Sequence, residues 1–186
     1  MLCTLIRGAM TDQTKPQFEA VIQKYDRRLF NLMLRLTANY HHAEDLTQEV
    51  LLIAYREYGK FRGESDVFTW LYRIAVNHHR RFARTMKLKS WLGFSEVADS
   101  DQIPDPRLES MVEQNEEQQA VAKAIADLPG EFRETVLLYY FEDKDCDNIA
   151  RILNCSPGTV KSRLWRGRKM LARKLKNYVA ETEGIS

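Results

Sequence analysis

The residues best equipped for chemistry in this chain are cations. Lys161, Arg163, Arg166, Arg168, Lys169, Arg173, Lys174 and Lys176 lie in one run, and no acidic residue interrupts it from Pro157 to Tyr178. A run of one sign neutralises phosphates and releases their counterions. Val160 and Leu164 share a face at the i, i+4 spacing of a helix and point inward. That leaves Thr159, Lys161, Ser162, Trp165 and Arg166 facing outward or sideways, with Arg163 and Arg168 beside them. A basic helix alone is most simply a solvated surface, so the elements that hold it decide its meaning.

Those elements are legible upstream, in DCDNIARILNCSPGTVKSRLW. Ile149, Ile152 and Leu153 give a short helix an apolar face, and Ala150 is small enough to let a second helix cross close by. Asn154 tolerates the left-handed conformation that ends a helix. Ser156 can cap the next helix, and Pro157 suits its first turn. Helix, tight turn and basic second helix together predict a helix-turn-helix, whose second helix enters the major groove of duplex DNA.

A second basic segment lies in the other half. From Val67 to Ser95 there is no acidic residue, and FTWLYRIAVNHHRRFARTMKLK interleaves Phe68, Trp70, Tyr72 and Phe82 with Arg73, Arg80, Arg81, Arg84, Lys87 and Lys89. Aromatics stack on unpaired bases while cations hold a strand's backbone. Helical spacing divides the two sets, however: Phe68, Leu71, Tyr72, Ala75 and Val76 face a core, whereas Arg73, Asn77, Arg80, Arg81 and Arg84 gather on another side. Core packing is therefore the stronger reading for Phe68, Trp70 and Tyr72. Asn77 is the candidate for a hydrogen bond to a base edge.

The helix before it carries Glu44, Asp45, Gln48 and Glu49, an acidic ridge opposite an apolar stripe. It reads either as a solvated face or as a docking surface for a basic partner. Neither a metal site nor a catalytic centre is expected: His41 and His42 are adjacent and diverge, as do His78 and His79, and no acid/base constellation converges. No cofactor is expected. Cys3, Cys146 and Cys155 form no CxxC pair, which points to a reducing compartment without a disulfide framework. Cys155, in the helix-helix turn, reads as a small packing residue.

The fold class expected is all-α, with two small helical domains joined by a flexible linker and a helix-turn-helix in the second. The apolar periodicity is helical almost throughout. Helices are expected over about 16–36, 42–58 and 67–84 or beyond. Between the first two and the third, Phe61 to Asp66 forms a loop broken at Gly63, with Ser65 or Asp66 as the following cap. Further helices are expected over 111–127 and 129–142, then the motif. The domains are 1–88 and 113–186, with 89–112 as linker. Charge reverses there: Arg107 is the only basic residue from Glu96 to Glu117, so two basic segments flank an acidic one within a net charge of only +2. Trp91, Leu92 and Phe94 are an apolar cluster available for docking. No apolar run approaches a membrane span, and no signal peptide is expected. The first ten residues are unusually apolar, and Met10 is a second candidate start.

Taken together these residues resemble the extracytoplasmic function group of bacterial RNA polymerase sigma factors. AEDLTQEVLLIAY (43–55) is similar to the family's polymerase-binding helix. FRGESDVFTWLYRIAVN (61–77) is similar to its minus-ten recognition and melting segment. LPGEFRETVLLYYFED (128–143) and CSPGTVKSRLWRGR (155–168) are similar to its minus-thirty-five domain. The resemblance implies that Asp45, Gln48 and Glu49 engage core RNA polymerase. It implies that Phe61, Arg62, Gly63 and Ser65 belong to a loop that captures a flipped base, and that Asn77, Arg80, Arg81 and Arg84 read or hold the downstream single strand. Thr159, Lys161, Ser162, Arg163, Trp165, Arg166 and Arg168 would meet the upstream duplex. It also implies a cytoplasmic protein, stringent promoter choice from a reduced aromatic set, and control by an anti-sigma factor in a stress response. That partner's contact points would be the acidic ridge and the linker cluster. Two other readings compete: a dimeric helix-turn-helix regulator that binds duplex DNA without polymerase, which predicts a sensor or receiver domain, and an enzyme acting on nucleic acid.

Overall fold

In the computed structural model, residues 15–61, 63, 65–93 and 116–182 are described, and they contain seven helices and no strand. The helices are α1 (Lys15–Thr37), α2 (Tyr40–Tyr58), α3 (Val67–Trp91), α4 (Glu116–Ala126), α5 (Gly130–Tyr140), α6 (Cys146–Leu153) and α7 (Pro157–Thr182).

The first two helices form an antiparallel hairpin, and the third packs against both. Phe18, Ile22, Leu29, Leu32, Met33 and Leu36 line the buried face of α1, against Ala43, Leu46, Val50, Leu51 and Ala54 of α2. Only Ala38 and Asn39 separate the two helices. Ala38 adopts a left-handed conformation (φ 52°) to reverse the chain, and the Asn39 side chain accepts the His42 N–H at 2.9 Å to start α2. α3 is capped by Asp66, whose carboxylate accepts both the N–H and the hydroxyl of Thr69, at 3.0 and 2.6 Å. Phe68, Trp70, Leu71, Tyr72, Ala75 and Val76 are buried, the core assignment expected from their spacing. Full burial of a side chain such as Phe68, Leu71 or Val76 stabilises by roughly 1.5–3 kcal/mol. α3 runs seven residues beyond Arg84, and from Ala83 onward every side chain is exposed. Its last turns thus project from the body, with Trp91 80% exposed. Phe94 and the rest of the linker lie outside the described residues.

In the second half, α5 and α7 pack through Gly167: a Cβ there would come within 3.0 Å of Val136 Cγ2. A glycine lets the backbones approach. α6 is capped at its start by Asp145, which accepts the Asn148 N–H at 2.7 Å, and at its end by Asn154 in the left-handed region (φ 52°, ψ 56°). The Cys155 N–H returns to the Ala150 carbonyl at 3.0 Å, the pairing that closes a helix of this kind. Ser156 then accepts the Thr159 N–H at 3.1 Å and starts α7. Each turn residue picked out in the sequence takes the place its chemistry suits.

The two halves are packed against each other, which the division into linked domains did not anticipate. One hydrophobic core runs through both, with α3 against α6 and α1 against α4 and α5. Polar ties reinforce it. Arg80 of α3 grips Glu134 of α5 through three hydrogen bonds of 2.6–3.1 Å. Glu142, just past α5, accepts from Tyr72 at 3.0 Å and pairs with Arg28 at 3.2 Å. Arg35 lies over the Phe141 ring, and Lys144 over that of Phe68. The Arg133 guanidinium reaches the Leu36 carbonyl of α1 at 2.9 Å while also donating to Ala126 and Leu128.

Candidate nucleic-acid and polymerase interface

The N-terminal turns of α7 pack into the body by one face and turn the other to solvent. Val160 and Leu164 are buried, while Lys161, Ser162, Trp165 and Arg166 are exposed, Trp165 to 63%. Thr159 is half-buried, its hydroxyl within 2.9 Å of that of Ser156. Ser156, Ser162, Arg163 and Arg166 rim an open depression of about 450 Å³ beside Glu131. Arg163 is held by Glu131 at 2.9 Å, with its side chain only 22% exposed. Arg168 donates to the Tyr140 hydroxyl at 2.7 Å and covers the Tyr139 and Tyr140 rings. These two cations are thus oriented from α5, whereas Lys161 and Arg166 point to solvent. Lys169 sits over the Trp165 ring, 5.3 Å from its centroid, and keeps it beside the basic face. A single helix presenting two hydroxyls, an aromatic edge and free cations can contact both base edges and phosphates in a major groove.

On α3, Arg73, Asn77, Arg81 and Arg84 form an exposed stripe at successive turns. Arg80 belongs to the same group in sequence, but its guanidinium is spent on Glu134, whose side chain is 4% exposed. The Glu134 contacts hold the Arg80 proton even more firmly than usual, against the cost of burial. In this arrangement it is a structural tie and not a free cation. Phe61 packs on Trp70 and Tyr58, at 5.1 and 6.2 Å between ring centroids. That anchors the start of the loop to the core. Gly63 turns the loop with φ 73°, Ser65 is half-buried before the cap, and Arg62 lies outside the described residues.

On α2, Glu44 and Asp45 are exposed and Gln48 is half-buried. Glu49 contacts His78 Nε2 of α3 at 2.5 Å, which ties the ridge to the basic helix. Sequence reasoning missed Leu52, which lies along the same face and is 43% exposed. The run Val50–Ala54 holds more consecutive apolar residues than one helical face can bury, and that was the available signal. It also missed the interdomain carboxylates. Burial raises the Glu142 carboxyl above its ordinary value even though Tyr72, Arg28 and Arg35 all favour the ion. Burial and Glu142 together push the Tyr72 hydroxyl up.

Among the described residues, no three His, Cys, Asp or Glu side chains gather as a metal site, and no helix is long and apolar enough to cross a membrane.

The described residues are all-helical in both halves, with a helix-turn-helix in the second, and comparison with known proteins identifies the family. Residues 21–89 match the family Sigma-70 region 2, and residues 118–171 match Sigma-70, region 4. The RNA polymerase sigma-H factor of Pseudomonas aeruginosa is 31% identical over 90% of each chain. The ECF RNA polymerase sigma factor SigW of Bacillus subtilis is 30% identical, over 86% of this chain and 89% of its own. Among solved structures, the sigma factor RpoE of Bartonella quintana, in complex with the anti-sigma factor NepR, is similar at 25% identity. Its TM-score is 0.66 over 86% of this chain and 97% of that one. The chain belongs to the extracytoplasmic function group of RNA polymerase sigma factors, the subunits that bind core polymerase and direct promoter-specific initiation.

Proposed function

We propose a two-site division of labour, with no catalysis by the chain itself. Residues 113–186 read the upstream promoter element as duplex, and residues 1–88 engage core polymerase and hold the downstream element as a single strand. The observation that carries this is the pair of exposed basic faces, Lys161–Ser162–Trp165–Arg166 on α7 and Arg73–Asn77–Arg81–Arg84 on α3, on separate helices of separate halves. Asp45, Gln48 and Glu49 dock to polymerase, with Leu52 as an apolar anchor on the same face. Phe61, Arg62, Gly63 and Ser65 frame the base-capturing loop, and Thr159, Arg163 and Arg168 complete the upstream contact. The protein works in the cytoplasm, where core polymerase and promoters are. An anti-sigma partner is supported by the complex of the similar RpoE with NepR.

The test is in vitro transcription with purified core polymerase. The chain should give transcripts from a discrete promoter set that are absent without it. Asn77→Ala should cut open-complex formation with upstream binding intact, and Arg166→Ala should weaken upstream recognition by roughly 1–3 kcal/mol. Unchanged initiation by both variants would refute the residue assignments. Tight duplex binding without any polymerase dependence would favour a stand-alone regulator.

A further inference from the structure

The surface that holds the two halves together overlaps the surface proposed to hold DNA. Arg80 lies within a turn of both Asn77 and Arg84, yet its Nε and one terminal nitrogen are turned onto Glu134 Oε1 and Oε2. Two parallel N–H···O bonds to a planar carboxylate are also how a guanidinium receives a phosphate. The Glu134 side chain is 4% exposed and that of Arg80 32%, so the pair is partly buried and less screened than a fully exposed surface ion pair. A second carboxylate, Glu142, is clasped by Tyr72 of α3 and Arg28 of α1. Both carboxylates come from one short stretch of the C-terminal half, and every partner named is on the N-terminal half.

Distance makes the consequence definite. Asn77 is one helical turn from Arg80, Arg80 touches Glu134, and Glu134 is on the helix whose Val136 meets Gly167, next to Arg166. With ordinary residue dimensions these steps bound the Asn77–Arg166 separation at roughly 35 Å. Promoter elements about 25 base pairs apart are spaced by about 85 Å on straight B-form DNA. The arrangement described above cannot reach both. The 22 residues from 94 to 115 can extend to about 75 Å, enough to let the halves part.

We propose that Arg80–Glu134, backed by the clasp on Glu142, is an internal lock: Glu134 occupies the guanidinium that a strand phosphate would take, and the chain holds itself closed without any partner until the halves separate. This rests on the two-site reading above. Opening exposes Arg80 at the moment the strand needs it, so one residue serves the closed state and the promoter-bound state in turn.

The experiment compares the full-length wild type with Glu134→Gln, which keeps shape and removes charge, and with Glu134→Gln/Glu142→Gln. Small-angle scattering reads compactness, and fluorophores at the exposed Lys60 and Lys176 read the separation of the halves. A closed chain of this length has a radius of gyration of about 16 Å. The variants should be measurably larger, with a longer label distance. They should also bind a 20-nucleotide oligo(dT) roughly tenfold tighter, because a larger fraction is competent to bind. Should either variant fail to fold by circular dichroism, Arg80→Glu and Arg80→Glu/Glu134→Arg decide. The single change should open the chain and the swap should close it again. Unchanged size and label distance in the carboxamide variants, or a swap no more compact than Arg80→Glu, would overturn the lock. Transcription with core polymerase is read in parallel. If wild type supports promoter-specific transcripts and only the scattering prediction fails, the lock alone is wrong; absence of transcripts would count against the functional reading itself.

Discussion

His79 should make the fold acid-sensitive well above the carboxylate range. It is 7% exposed on the inner side of α3, and its Nδ1 has no hydrogen-bond partner. Burial is the main force keeping its ring neutral. The guanidinium groups of Arg133, from α5, and Arg80, from its own helix, add to it, while a hydrogen bond to the Leu36 backbone of α1 works in the opposite sense. The net result is a pKa lowered from 6.5 to about 4. Between these two values the unfolded chain binds a proton that the folded chain refuses, so stability falls as pH drops through that window and levels off below about 4. The loss from pH 8 to pH 5 comes to about 2 kcal/mol, and to about 3 kcal/mol once both states are protonated.

Glu142 has the opposite sign. Its raised pKa means that the folded state takes up the proton first, which adds stability as pH falls through the raised value. The raw pH profile of the wild type therefore mixes two trends, and a difference between variants separates them. Urea unfolding at several pH values should be followed for wild type and for His79→Gln, which cannot protonate in either state. Whatever the substitution costs at pH 8, the gap between the two proteins should close by about 2 kcal/mol at pH 5, since distant contributions cancel. Parallel profiles from pH 8 to pH 5 would refute the assignment of a buried neutral imidazole.

Two further expectations concern the elements that position the basic helices. Gly167→Val places a branched side chain against Val136, itself buried and stiff in a helix. It should cost about 1–3 kcal/mol in denaturant unfolding and weaken upstream duplex binding by tilting α7, since added methyls in a filled seam have nowhere to go. Asp66→Ala removes the cap of α3 and should cost about 1 kcal/mol. Burial opposes ionisation of Asp66, but the hydroxyl and backbone N–H of Thr69 win and hold its carboxyl below 3.8. The capping contribution is therefore present above that value and fades as pH falls through the lower folded one, a fading that the alanine variant should lack.

What was legible in the sequence was local. Asn154, Ser156 and Asp66 each advertise a specific backbone demand, left-handed closure or an N–H to be capped, and a demand of that kind is met within a few residues wherever the segment sits. The 3.6-residue period sorted Tyr72 and Val76 from Asn77 and Arg81 because burial and exposure alternate along one helix. The end of α3 was less legible. Lys87, Lys89 and Trp91 show no inward face, so periodicity stops while the helix continues on its hydrogen bonds.

The interdomain surface was not legible at all, and the reason is physical. A guanidinium has the same sequence signature whether it is open to a phosphate or already holds a carboxylate, and Arg80 sits among the exposed cations Arg73, Arg81 and Arg84. Nothing local to Glu134 or Glu142 distinguishes a carboxylate facing water from one facing another domain. Only long-range contact reveals the difference: residues 54 positions apart for Arg80 and Glu134, and 70 for Tyr72 and Glu142. The same ambiguity is what a lock requires. A contact that phosphate can replace must be made by groups that suit phosphate, so the residues most readable as DNA ligands are the ones best able to close the molecule on itself.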